Sequence, residues 1–301
     1  MATAVQAETL SDALVSTYRN SGLIDQNRAV LRAADEDVAQ AVSTLRPVLS
    51  YLASAGYSDN QQGSGTSASV GLSAEMLLYD FGRSQLSVDI AKETVLATRA
   101  ALIDAENTAL FNAVAAYQEV RRSKIFVELR ENNVRLLTEQ LRATRDRFEV
   151  GEVTRTDVSL SEASLAAARA ALAAERGGLA RAQEQYRTVV GEYPGALVPV
   201  SSLPSIPGTE SEARAIARQQ NPLVKQVQHQ VKAAELGVQV ASRAMQPSLS
   251  ANGNLSVDED GNDAASVGLS LSGRIYQGGA ISSQLRQAQA RRDQVRAQLY
   301  T

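Results

Sequence analysis

Cysteine is absent from the 301-residue chain, which excludes disulfides, thiolate zinc sites and a lipid-modified N-terminal cysteine. It leaves the compartment open, because cystine-free proteins are exported too. Tryptophan is also absent, aromatic residues make up only 4% of the chain, and His229 is the one histidine. So few aromatics do not fill a thick globular core, and they point to thin helix-on-helix packing. No run approaches the ~20 apolar residues of a membrane-spanning helix. An inner-membrane pump is thereby excluded, and any membrane insertion has to use β-strands. Charge of one sign does not accumulate: 30 Lys and Arg stand against 33 Asp and Glu, mixed along the chain, for a net charge of -3. Nothing recruits nucleic acid electrostatically. With no phosphate-binding glycine loop, no nucleophile elbow and a lone His229 expected to face solvent from a polar helix, the sequence supports no enzyme, cofactor or metal site.

What is present is an internal repeat. Ser69-Val70-Gly71-Leu72-Ser73 recurs as Ser266-Val267-Gly268-Leu269-Ser270, Tyr79 and Gly82 recur as Tyr276 and Gly279, and Pro47 and Leu49 recur as Pro247 and Leu249. Each copy reads helix, strand, turn, strand, helix. In the first strand Leu49, Tyr51, Ala53, Ala55 and Tyr57 share a face opposite Ser50, Ser54 and Ser58, and in its second copy Leu249, Ala251, Gly253, Leu255 and Val257 lie opposite serines and asparagines. The returning strands repeat the alternation. Each run is about 10 residues, the length a tilted strand needs to cross a bilayer. Polar, Gly-rich tips are expected at Asp59 to Ser67 and Asp258 to Ala265. Four strands cannot close a barrel alone, so a membrane reading requires oligomerisation.

Ala, Leu, Gln, Arg and Glu, strong helix formers, fill the remaining tracts. Asp80 to Phe148 contains no Pro and, after Gly82, no Gly, predicting a helix of ~100 Å. Leu96, Ile103, Leu110 and Tyr117 repeat at coiled-coil spacing. Val150-Gly151-Glu152 marks a turn, and Thr156 or a neighbour caps a helix from Asp157 to Val190. The division expected is a tail or signal-peptide remnant at 1–7, a first repeat at 8–192, a linker at 193–209 and a second repeat at 210–301. The first repeat holds strands near 48–58 and 69–79, a long helix at 80–148, a tip at 149–156 and a helix at 157–190.

The duplicated hairpins, the corners Tyr79-Asp80-Phe81-Gly82 and Tyr276-Gln277-Gly278-Gly279, and the stretch Phe148-Glu149-Val150-Gly151 followed by Thr156-Asp157-Val158 together resemble the TolC family of outer-membrane efflux proteins over nearly the whole chain. The resemblance implies a mainly α protein with β. Long antiparallel coiled-coil helices would form a periplasmic tunnel, and four strands per protomer would contribute to a trimeric 12-stranded transmembrane barrel. It implies a passive exit duct of a tripartite efflux or type I secretion system, in the outer membrane of a Gram-negative bacterium and extending into the periplasm. The implied partners are a periplasmic adaptor, an inner-membrane transporter and outer-membrane lipid. Phe148, Val150, Gly151 and Glu152 would form the adaptor-contacting tip. Glu152 stands where the family usually has Leu, which admits an ionic contact. Thr156 and Asp157 would belong to a closed-state latch, or serve as a helix cap and first-turn acid. The latch partners are expected on final helices of the second repeat, the first of which the chain enters before Thr301. Pro47 and Pro247 would be helix-to-strand breaks. The alternatives are a periplasmic adaptor, which flanks one helical hairpin with compact β-domains, and a soluble coiled-coil scaffold, whose strand faces would pack inward.

Overall fold

The structure, a computed structural model, describes residues 7–60, 63–200 and 204–300. Apart from Ala7, the expected N-terminal tail lies outside these residues. In chain order the elements are β1 (Ala7–Glu8), α1 (Leu10–Asn20), α2 (Gly22–Ser43), β2 (Val48–Asn60), β3 (Gly63–Tyr79), α3 (Arg83–Glu149), α4 (Arg155–Val190), β4 (Ala196–Leu197), α5 (Glu210–Gln220), α6 (Pro222–Ser242), β5 (Ser248–Asp258), β6 (Asp263–Ser272) and α7 (Ala280–Gln298). They form two compact units, one from residues up to Gln26 together with Asp104–Ile206, the other from Asn27–Ile103 together with residues from Pro207 onward. The first unit draws on the first repeat and the segments flanking it, the second draws on both repeats, and α3 contributes its ends to different units.

In the first unit the core is a small set of side chains shared by α1, α3 and α4: Ala13, Ala113, Ala116, Tyr117, Val120, Ala182, Tyr186 and Val190. Alanines in this seam let helix backbones approach closely, which is how a chain so poor in aromatics still closes a dry interior. Along this part of α3 the buried positions include Ala109, Ala113, Ala116, Tyr117, Val120, Ser123, Val127, Leu141 and Thr144, so the seam is made mostly of small residues with Tyr117 and Leu141 set among them. Of the heptad read from the sequence, Tyr117 is fully buried, whereas Leu96 and Ile103 are half exposed. The larger side chains misled because burial follows helix rotation, and two overlapping stripes exist on this helix.

The same unit holds a feature the sequence did not announce. β1 and β4 pair in parallel, Ala7 with Ala196 and Glu8 with Leu197, where no strand is expected: Ala7 ends the expected tail, Glu8 opens the first repeat and β4 lies in the expected linker. The Glu8 carboxylate accepts from Gly195 N–H at 2.8 Å and from the Tyr186 hydroxyl. The Tyr117 hydroxyl bonds the carbonyls of Glu8 and Val198 at 3.0 and 2.7 Å. Burial first, then the bond to Glu8, holds the Tyr186 phenol well above its ordinary range.

In the second unit, β2, β3, β5 and β6 form one antiparallel sheet in that order. The two hairpins are joined by β3 pairing with β5, Val70 opposite Val257 and Leu72 opposite Leu255. The ladder of the first hairpin continues to Asn60 and Gly63, beyond the strand ends expected near 58 and 69. Gly and Ser there signalled exposure, and exposure does not end a strand. β2 and β6 are the open edges. His229 differs from expectation. It is three-quarters buried and its Nδ1 lies 2.7 Å from the Glu93 carboxylate, because α6 turns this polar position toward α3.

Candidate functional sites: a two-faced sheet and a helical tip

Register, more than composition, defines the sheet. Cross-strand partners place Leu49, Tyr51 and Ala53 of β2 beside Ala74, Leu72 and Val70 of β3. These lie beside Gly253, Leu255 and Val257 of β5, and the face continues to Val267, Leu269 and Leu271 of β6. Because side chains alternate along a strand, these residues share one surface. That surface is uncovered: Tyr51 is 83% exposed, Leu72 59% and Val267 93%. An apolar band of this breadth is not left to water by a soluble domain, so the inward packing expected of a scaffold is absent.

The opposite face carries hydroxyl and amide groups. Ser54 and Ser69 hydroxyls lie 2.9 Å apart, those of Ser248 and Ser272 3.2 Å apart, and Ser270 donates to the Asn252 amide oxygen at 3.2 Å. Such cross-strand pairs hold register on a polar face.

Each hairpin meets its following helix through a tight corner. At the first, Phe81 (φ 59°) and Gly82 (φ 77°) are both left-handed, and at the second Gly278 (φ 57°) and Gly279 (φ 85°) are. Asp80 is buried (7% exposed), and its carboxylate accepts from the Ser84 amide at 2.7 Å and hydroxyl at 2.6 Å, capping α3. Burial pushes its pKa up, but the Ser84 bonds and Arg83 outweigh this and leave it below the ordinary value. Pro47 immediately precedes β2 and Pro247 immediately precedes β5. A Cβ on Gly273 would stand 3.1 Å from Pro247 Cβ, so the second corner is closely packed.

The helical tip lies between α3 and α4. Gly151 (φ 81°) donates its N–H to the Phe148 carbonyl and Glu152 to that of Arg147, at 3.0 and 2.9 Å. This pair of bonds closes a helix C-terminus when the residue after the cap is left-handed, the conformation glycine takes without a Cβ clash. Phe148 is 43% exposed and Val150 71%, so an apolar knob is presented beside the exposed Glu152. Thr154, rather than Thr156, caps α4: its hydroxyl accepts from Asp157 N–H, while Asp157 accepts from the Thr154 amide and hydroxyl at 2.8 and 2.7 Å. Only Thr154 has an acid three residues later, the signal for a capping box. Thr156 is exposed on the first turn. Below the tip, Arg145 pairs with Glu162 and Arg176 with Glu131, at 2.5 and 2.8 Å, tying α3 to α4.

Among the described residues no group of His, Asp or Glu side chains is arranged to hold a metal, and no helix is long and apolar enough to cross a membrane. A sheet with one apolar uncovered face, one hydroxyl face and two open edges, carried on long helices, defines a protein that inserts in membranes by strands. The sequence profile for outer membrane efflux proteins matches residues 14–192 and 214–301. Over 305 residues the chain is 35% identical to outer membrane efflux protein BepC of Brucella suis, covering 98% of this chain and 67% of BepC. It is 26% identical to outer membrane protein TolC of Vibrio cholerae, covering 96% of this chain and 70% of that one. The Campylobacter jejuni CmeC outer membrane channel shares the fold at a TM-score of 0.85 and 16% identity, over 98% of this chain and 68% of CmeC. The chain belongs to the outer membrane efflux protein family. It is an outer-membrane exit duct of an efflux system of Gram-negative bacteria, and its relatives are channel proteins, not enzymes.

Proposed function

We propose that three copies of the chain close a 12-stranded barrel in the outer membrane. Their helices form a periplasmic tunnel through which an inner-membrane transporter, coupled by a periplasmic adaptor, passes substrate to the exterior. The observation that carries this reading is the single four-stranded sheet with an apolar face, a hydroxyl face and unpaired edges at β2 and β6. The sheet alternates antiparallel throughout, so β6 of one copy meets β2 of the next in antiparallel sense, and closure leaves no edge. The apolar face then meets lipid and the hydroxyl face lines water.

In this reading Phe148, Val150, Gly151 and Glu152 contact the adaptor, the exposed Phe148 and Val150 giving apolar area and Glu152 offering a carboxylate to a basic group. Asp157 combines two roles, as capping acid of α4 and as one side of a polar latch with Thr156. The hydroxyl of Thr156 is left available for the latch because Thr154 does the capping.

The absence of native cysteine makes the test clean. Cysteine is introduced on β2 (Ser50→Cys or Ser54→Cys) together with β6 (Ser266→Cys or Ser270→Cys), and the protein is recovered from fractionated envelopes after mild oxidation. Disulfide-linked trimers in the outer-membrane fraction are expected for the register-matched pair. Monomers from every pair, or protein in the soluble fraction, would remove the barrel.

A further inference from the structure

The segment from Pro47 to Gly82 and that from Pro247 to Gly273 contain no Lys, Arg or His, while they carry Asp59, Glu75, Asp80, Asp258, Glu259, Asp260 and Asp263. Basic residues begin just outside, at Arg46, Arg83, Arg243 and Arg274. Register separates these acids. Glu75 lies opposite Val48 on β2 and Asn252 on β5, and Asp258 opposite Ser69, which places both on the hydroxyl face. They are the only charged residues on that face among the described strand residues. Asp258 is committed to the β5–β6 turn, accepting from the amides of Asp260 and Asn262 and from the Asn262 side chain. Glu259 is committed to the Ala68 N–H at 2.8 Å. Glu75 is exposed, and no described residue donates a hydrogen bond to its carboxylate or pairs with it.

We propose that Glu75 sets a cation preference in the barrel conduit. The proposal rests on the closed trimer described above, which brings three Glu75 carboxylates into one ring near the helical end of the strands, with no basic group among the strand residues to offset them. Hydroxyl and amide groups serve ions of either sign, as donors or acceptors, so the rest of this wall is indifferent to sign. A ring of carboxylates in a water-filled passage with low-dielectric walls concentrates cations and repels anions. Ser69 to Glu75 spans about 20 Å of strand, more than twice the ~8 Å Debye length at physiological ionic strength. The Asp258 tier and the Glu75 ring therefore act separately. The acids at the mouth are open to bulk salt and are screened first.

The full-length protein, reconstituted in planar bilayers under a ten-fold KCl gradient, gives the cation-to-anion permeability ratio from its reversal potential. The wild-type ratio is expected above one. Glu75→Gln is expected to lower it roughly three-fold, Glu75→Asp to preserve it, and Glu259→Gln combined with Asp260→Asn and Asp263→Asn to matter less, and least at high salt. Recovery of each variant as crosslinked trimer controls for assembly. A wild-type ratio at or below one, or channels of Glu75→Gln that open with an unchanged ratio, overturns this inference and leaves the barrel standing. Failure of the wild type to form trimers overturns both.

Discussion

A phenylalanine occupies a position where the second repeat has glycine, and the cost of that choice can be read from the backbone. Phe81 and Gly278 are counterparts at the two strand-to-helix corners, and both are left-handed, with φ of 59° and 57°. An L side chain held there costs roughly 1–2 kcal/mol. At Phe81 the strain is offset by its ring against Tyr79, centroids 4.9 Å apart, and by Arg243, which donates to the Phe81 carbonyl at 2.9 Å. At Gly278 a Cβ would meet nothing within 4 Å, so its replacement carries the conformational cost without a clash and without a compensating contact. Gly278→Ala is expected to destabilise by about 1 kcal/mol, seen as a lower midpoint in thermal unfolding followed by circular dichroism; an unchanged midpoint would show that the corner relaxes out of the left-handed region. Tyr186 makes a second residue-scale case. Its hydroxyl bonds the Glu8 carboxylate, so Tyr186→Phe leaves that acid short of a donor and should cost about 1–3 kcal/mol, read in the same melt. The variant should also free the N-terminal strand to faster amide exchange.

Among the helices, one device recurs. α1 starts with Thr9 and Asp12, α4 with Thr154 and Asp157, and α5 with Thr209 and Glu212, each threonine oxygen accepting from the amide three residues on. In the first two the acid bonds back to the cap amide. This Thr-x-x-acid spacing is legible in the sequence and singles out Thr154 at the tip, whereas Thr156 is followed three residues later by Ser159, which has no carboxylate to return to the cap amide. The turn at Gly151 and the breaks ahead of β2 and β5 were legible for a firmer reason: Pro removes a backbone donor and Gly relieves a Cβ, and neither effect depends on tertiary context. Thr154→Ala is expected to destabilise the start of α4 by about 1 kcal/mol, with faster amide exchange over residues 155–158. The side-chain and then the backbone bond from Thr154, together with Arg147, hold the Asp157 pKa below its ordinary value. A depressed carboxylate pKa contributes stability above the unfolded value of about 3.9, and that contribution is lost as pH falls through the folded value. Amide protection of the tip should therefore weaken below about pH 4. Asp157→Asn should abolish that pH step, and persistence of the step in the variant would assign it to another group.

The whole assembly depends on which face of the sheet meets lipid, and here the sequence reading went furthest. Alternation with period two assigns faces without any tertiary information, and the pairing of β3 with β5 makes the faces of the two hairpins continuous. What alternation could not supply was the coupling of Glu8 to Tyr186 or of His229 to Glu93, because both join residues far apart in sequence. Leu72 and Ser73 are neighbours on β3, paired respectively with Leu255 and Asn254 of β5, and so point to opposite faces of a central strand. If the apolar face meets hydrocarbon, Leu72→Arg places a guanidinium in lipid, at a cost of roughly 2–4 kcal/mol per chain near the midplane. Ser73→Arg sets the same group in water. The expectation is that Leu72→Arg sharply reduces crosslinked trimer in the outer membrane, whereas Ser73→Arg assembles at near wild-type yield and narrows the conduit. Arginine is the same size in both variants and the substitutions are adjacent, so differences in synthesis or export do not explain a divergence. The opposite pattern, with Ser73→Arg failing and Leu72→Arg assembling, would mean that the hydroxyl face is the buried one and that the sheet does not line a channel.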